Sequence, residues 1–190
     1  FRVMGLADFD YDRFYPINVA AIANTILLVA NKDVPWNNMQ DLLSHVQANP
    51  KKVKQYMAGQ GTVPFTVNTM IGSLTKFETT LVPFDGDGPA IAALQGGHVD
   101  IGFIASGAAI EHVKAGRLKA LGVLSDKPFQ GISHMTDAPS LIRLPKYLPW
   151  GSWYGVFVRK ETPDDIKAKL VAAFKKAGDN PKYRQLMEGR

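Results

Sequence analysis

The chain contains no cysteine, and that absence removes several kinds of chemistry at once. No disulfide framework, thiol nucleophile or thiolate-metal site can be built. Long apolar runs are missing too: none exceeds the length of Ile26 to Ala30, which is far too short to span a membrane. None of the four histidines, His45, His98, His112 and His134, shares metal-ligand spacing with another. No serine sits in a nucleophile elbow. Repeats, low-complexity tracts and coiled-coil heptads are absent. The net charge is +5, yet the basic residues are scattered apart from Lys51, Lys52 and Lys54, and no zinc-finger, RNA-binding or basic-helix pattern accompanies them. A modest positive balance of this kind attracts small anions and keeps a protein soluble. Nucleic acid, metal and cofactor are therefore not expected, and the chain is not read as an enzyme.

What remains is a globular composition. Hydrophobic residues make up 46% of 190, enough for one cored domain or two small lobes. The chain opens on Phe1 rather than Met, and an upstream segment is expected to have been removed.

The stretch Tyr56 to Phe65 carries the most information. Val53, Tyr56 and Met57 read as a strand, Gly59 and Gly61 as a sharp turn. Thr62 reads as an N-cap, with Pro64 in the first turn of a helix whose apolar face is Val63, Val67, Met70, Ile71 and Leu74. Such a helix aims unpaired N–H groups and a partial positive charge at the turn, which suits a carboxylate or a phosphate. The plainer reading is an ordinary βα loop. A nucleotide P-loop is excluded because no Lys-Ser/Thr follows the glycines, and Pro64 replaces the third glycine of the dinucleotide fingerprint.

Around this stretch the elements alternate. Residues 1–16 read as an aromatic, acidic loop without an element of its own, whose large side chains pack on something else. Ile17 to Ala30 reads as one long strand or two joined ones. A helix follows with Met39, Leu42, Leu43 and Val46 on one face, ending near Asn49-Pro50. Then come strand 53–57, helix 62–74, strand 78–84, helix 89–95 stopped by Gly96-Gly97, strand 99–104, a helix capped by Ser106 and stopped by Gly116, and strand 119–124. Five strands alternating with four helices predict a mostly parallel, doubly wound α/β sheet. Ligands of such sheets lie beyond the carboxyl ends of the strands, which places turns 58–62, 84–88 and 104–107 on one rim. Residues 125–152 read as a proline-rich connector. A strand at 154–159 precedes a helix begun by Thr162-Pro163-Asp164-Asp165, with Ile166, Leu170, Ala173 and Phe174 as its buried face. A short helix runs from Pro181 to Met187.

Asp85, Asp87 and Asp100 are the one set that reads as an acidic catalytic or metal cluster. The alternative is structural, with Asp87 capping the helix that begins at Pro89. The set keeps open a small α/β hydrolytic or phosphate-handling enzyme.

Several segments together resemble the tripartite tricarboxylate transporter substrate-binding proteins, the TctC or Bug family. They are Asp8 to Val29, Gly59-Gln60-Gly61-Thr62, Val82-Pro83-Phe84-Asp85-Gly86 followed by Pro89-Ala90, Leu94 and Gly96-Gly97-His98-Val99-Asp100, then Val113 to Leu121, Trp150, and Glu161-Thr162-Pro163. The resemblance implies a type II periplasmic-binding-protein-like fold of two lobes. The second lobe, 23–123, is expected complete and the first, 1–22 with 124–190, partial. It implies a periplasmic protein that captures a small organic carboxylate in an interlobe cleft, hinged near Ala23 and Leu124, for the membrane components of a tripartite transporter. A ligand-sensing domain on the same fold is the other reading. A homodimer is expected through first-lobe surface left exposed. The ligand grip is expected from the N–H groups of Gly59, Gln60, Gly61, Thr62 and Val63 with the Thr62 hydroxyl. Phe84, Gly86 and Asp87 are expected to form one wall, Ala105 and Ser106 another. Three positions depart from the family pattern: Phe65 for its usual histidine, Phe84 for its tyrosine and Asp85 for its basic residue.

Overall fold

In chain order, the elements of the computed structural model are a 3-10 turn (Tyr11–Arg13), β1 (Phe14–Ala23), β2 (Ile26–Asn31), α1 (Met39–Ala48), β3 (Lys54–Met57), α2 (Val63–Thr75), β4 (Thr80–Pro83), α3 (Asp87–Gln95), β5 (Ile101–Ala105), α4 (Ser106–Lys114), β6 (Leu118–Leu124), β7 (Ser152–Arg159), α5 (Asp164–Gly178) and α6 (Pro181–Glu188). The structure describes residue 5 and residues 7–23, 26–124, 132 and 152–188. The connector expected over 125–152 lies almost wholly outside the described residues. The chain divides into two compact units, 1–23 with 152–190, and 24–151.

The larger unit is a five-stranded sheet in the order β4-β3-β5-β2-β6. β3 pairs parallel with β4 and β5, while β2 pairs antiparallel with both β5 and β6. Four strands therefore share one direction and β2 runs against them. All six residues of β2 are buried, because helices cover both faces. Ile26, Leu28 and Ala30 join Met39, Leu42, Leu43 and Val46 of α1 and Val67 and Ile71 of α2 in one apolar layer. Leu27 and Val29 face the other way, toward Ala90, Ile91 and Leu94 of α3 and Ala109 and Ile110 of α4. The period-2 alternation of a strand feeds both layers, and the sheet is doubly wound as its helix–strand alternation predicts.

Two buried polar side chains tie the layers together. Gln55 is fully buried on β3. It donates to Asn68 Oδ1 on α2 at 2.9 Å and accepts from Thr79 Oγ1 at 2.7 Å. Asn31, at the end of β2, donates to Leu94 O at 2.6 Å and accepts from Asp33 N at 2.8 Å. Both are satisfied, as a buried amide must be. α1 is capped by Asn38, which accepts from Asp41 N at 2.9 Å, while Asp41 Oδ2 accepts from Asn37 N at 3.2 Å, a reciprocal capping arrangement.

Several expected starts are corrected. Asp87 is not the cap of a helix beginning at Pro89; α3 begins at Asp87 and Gly86 holds the cap position. Ser106 is not a cap either: Ala105 holds that place and Ser106 is the first helical residue. α5 is preceded by Pro163 rather than capped by Thr162, with Asp164 and Asp165 in its first turn. Of the one long strand or two joined strands expected from Ile17 to Ala30, the structure has two, β1 and β2, in separate sheets; β1 begins earlier, at Phe14, so the loop expected over 1–16 gives way to a 3-10 turn and the first residues of a strand.

The smaller unit is an antiparallel ribbon of β1 and β7 with α5 and α6. Its register slips between Pro16 and Asn18 and again between Val19 and Ala21. Lys167 Nζ lies 5.0 Å from the centre of the Tyr15 ring and donates to Lys160 O at 2.7 Å. The buried face expected for α5 is absent: no residue of that helix is buried, and Ile166 and Val171 are exposed. Among the described side chains of this unit only Ile17 is buried, and Phe9, Tyr11, Phe14, Tyr15 and Phe157 are exposed.

Candidate functional site

The antiparallel setting of β2 fixes which ends of the strands share a rim. Ile26 pairs with Ala105 on one side and Leu124 on the other, and Met57 pairs with Pro83. The ends of β3, β4, β5 and β6 and the start of β2 therefore form one edge, and α2, α3 and α4 begin there.

The first turn on this edge is held by its own polar groups. Thr62 Oγ1 donates to Gly59 O at 2.8 Å and accepts from Phe65 N at 3.4 Å, and Thr62 N donates to Gly59 O at 3.3 Å. The Thr62 hydroxyl proton is thus committed inside the turn. Gly61 adopts φ of 84°, a region that residues with a Cβ rarely enter. Among the described residues, the N–H groups of Gln60, Gly61 and Val63 take no hydrogen-bond partner. Pro64 has no N–H to offer. Three main-chain donors are left at the positive end of the α2 dipole.

The second turn follows β4. Phe84 N donates to Met57 O at 3.1 Å, extending the parallel ladder by one residue. The Phe84 ring meets Tyr56 edge-on, with centroids 6.1 Å apart. Gly86 holds φ of 100°, which turns the chain directly into α3. Asp87 then points back to β3, where its Oδ1 accepts from Tyr56 Oη at 3.0 Å. Burial, and after it the negative charge of Asp87 and this hydrogen bond, push the Tyr56 phenol well above its ordinary pKa. It stays protonated and serves as a donor. Tyr56 and Asp87 together brace the two turns. The sequence marks Tyr56 as a strand residue, and the signal for its second role is that a buried tyrosine hydroxyl needs a partner.

Met57, Ala58, Gly59, Pro83, Phe84 and Asp85 line an open depression of about 350 Å³. The structure thus joins Gly59 and Phe84 of the expected site, and adds Met57, Ala58, Pro83 and Asp85. Gln60, Gly61, Thr62 and Val63 follow Gly59 around the turn, outside that lining. Gly86 and Asp87 follow Phe84 in the same way. Ala105 and Ser106 stand at the end of β5 on the same edge and do not line the depression; Ser106 is buried.

The acidic set does not assemble. Asp100 precedes β5 at the opposite edge, where its Oδ2 accepts from Lys54 N at 2.7 Å. At about 3.3 Å per residue, the five steps to Ala105 put it roughly 16 Å from the edge carrying Asp85 and Asp87. No group of three or more His, Cys, Asp or Glu placed to hold a metal occurs among the described residues. His112 is engaged with Gln95 Nε2 at 2.6 Å and Arg117 Nε at 3.3 Å. No described helix is long and apolar enough to cross a membrane.

Comparison with known proteins agrees with this architecture. The model of the tripartite tricarboxylate transporter family receptor matches residues 7–190. A UPF0065 protein of Bordetella pertussis is 28% identical over 179 residues, which cover 94% of this chain and 54% of the relative. MatC from Rhodopseudomonas palustris, solved with bound malate, superposes with a TM-score of 0.80 at 27% identity, over 93% of this chain and 60% of that one. Another R. palustris protein, solved with adipate, gives a TM-score of 0.75 at 26% identity, over 87% and 56%. The chain spans about half the length of the curated relatives it matches. The fold is that of the periplasmic binding proteins among these structures. With a match that runs from residue 7 to the last residue on this shared α/β fold, the chain belongs to the tripartite tricarboxylate transporter receptor family.

Proposed function

We propose that this chain is part of a periplasmic solute-binding protein that takes a small organic carboxylate at the edge where α2, α3 and α4 begin. The observation that carries the reading is the α2 tip. Three unbonded N–H groups at Gln60, Gly61 and Val63 follow directly from Gly59, a lining residue of an open depression. Main-chain donors suit an anion because they stabilise its charge without burying a full cation. Malate in MatC and adipate in the second R. palustris structure are dicarboxylates, which supports the ligand class. The protein would hold its ligand without turning it over, and would hand it to the membrane components of a tripartite transporter.

The test is direct. Binding is screened by thermal shift with small organic carboxylates, and the best ligand is measured by calorimetry. Gly61→Val places a β-branched side chain where φ is 84° and rebuilds the turn that presents the donors. Loss of at least tenfold in affinity is expected. An unchanged affinity in a variant that keeps its circular dichroism spectrum would remove the assignment.

A further inference from the structure

The depression at the ends of β3 and β4 has one ionisable group in its lining, and that group is negative. Met57, Ala58, Gly59, Pro83 and Phe84 carry no charge, and the sixth lining residue is Asp85. The two carboxylates of this turn differ in what they do. Asp87 is bound to the Tyr56 hydroxyl at 3.0 Å. Asp85 is exposed and makes no hydrogen bond or ion pair among the described residues. Among the described residues, no lysine, arginine or histidine shares the lining with it.

The site therefore presents two opposite demands side by side. The N–H groups beyond Gly59 favour an anionic oxygen. Asp85 repels one, and at contact distances in a partly solvated site a single unit charge changes affinity on the order of tenfold in either direction. A plain dicarboxylate satisfies the first demand and meets the second with its other charge. A molecule with one carboxylate and one ammonium satisfies both. Resting on the proposed function above, we propose that Asp85 is a specificity-determining residue that selects carboxylates bearing an ammonium group over plain dicarboxylates.

Three probes of equal backbone length separate the possibilities: glutarate, 5-aminovalerate, in which one carboxylate becomes an ammonium, and glutamate, which carries both carboxylates and an ammonium. Calorimetry on the 190-residue chain is expected to show 5-aminovalerate or glutamate bound at least tenfold more tightly than glutarate. Asp85→Asn should shrink that ratio at least tenfold, and Asp85→Arg should reverse it. Because Asp85 is exposed and has no partner among the described residues, neither substitution should change the melting temperature. Glutarate bound as tightly as both ammonium compounds would overturn the inference, as would a ratio unchanged by Asp85→Asn. Gly61→Val tells the two levels apart. If it abolishes binding of all three probes while Asp85→Asn leaves their ratio alone, the role of Asp85 fails and the carboxylate site stands. If it changes none of the affinities, the site itself fails. No binding of any probe by the unaltered chain would overturn both.

Discussion

Tyr56 is 1% exposed, and its hydroxyl donates to the Asp87 carboxylate. A hydrogen bond to a charged acceptor contributes about 1.5 kcal/mol or somewhat more, so Tyr56→Phe is expected to destabilise the larger unit by about that amount in urea denaturation. The pH dependence has a fixed sign. The phenol is raised above its ordinary value of 10.0 in the folded chain, so its contribution is complete below that pH. Above it the unfolded chain deprotonates first, and stability falls as pH rises, by up to about 1.4 kcal/mol per pH unit for one proton. Stability measured upward from pH 10 should therefore decline less steeply in Tyr56→Phe than in the unaltered chain. An equal slope in both would mean that the phenol is not held against Asp87. Gly102 shows how closely the same residue is packed: a Cβ there would stand 3.1 Å from Tyr56 Cβ and 3.2 Å from Tyr56 Cδ1.

The helix that offers the donors begins with Thr62, whose hydroxyl both donates to Gly59 O and accepts from Phe65 N. Thr62→Ala removes the cap and one restraint on the glycine turn together. A loss of about 1 kcal/mol in unfolding free energy is expected, with ligand affinity falling at the same time because the turn is no longer fixed. Destabilisation with unaltered affinity would separate the cap from the site. This start was legible in the sequence because Thr62 and Pro64 obey local rules that tertiary structure did not override. The starts of α3 and α4 were not. Gly86 reaches φ of 100° and turns the chain into helix without a side-chain cap, which frees Asp87 to bond a residue 31 positions earlier. The direction of β2 was also hidden. A strand buried on both faces reads as a continuous apolar run whichever way it points, and Ile26 to Ala30 carries nothing polar to mark its polarity. In α5 the periodicity of Ile166, Leu170 and Phe174 was visible, but periodicity marks an apolar stripe and does not say whether this chain covers it.

The two units differ in how much apolar surface they bury, and this sets what the whole molecule does under stress. Nearly every buried residue belongs to the larger unit. A two-stranded ribbon is marginal by itself in water. Native-state hydrogen exchange should therefore find the amides of β2, β5 and β6 protected to the global limit, while those of β1, β7 and α5 exchange through openings of lower free energy. Equal protection in both would show that the ribbon and α5 are covered in solution. The middle position of β2 has a consequence for how the chain is made. Its neighbours on either side, β5 and β6, are encoded 70 or more residues later. While a ribosome is still building the intervening helices, a strand whose every residue is buried in the finished fold has emerged with both flanks vacant. Synthesis halted anywhere before Leu118 leaves that strand without its last neighbour, so nascent chains of this length should depend on a holding chaperone far more than the finished polypeptide does.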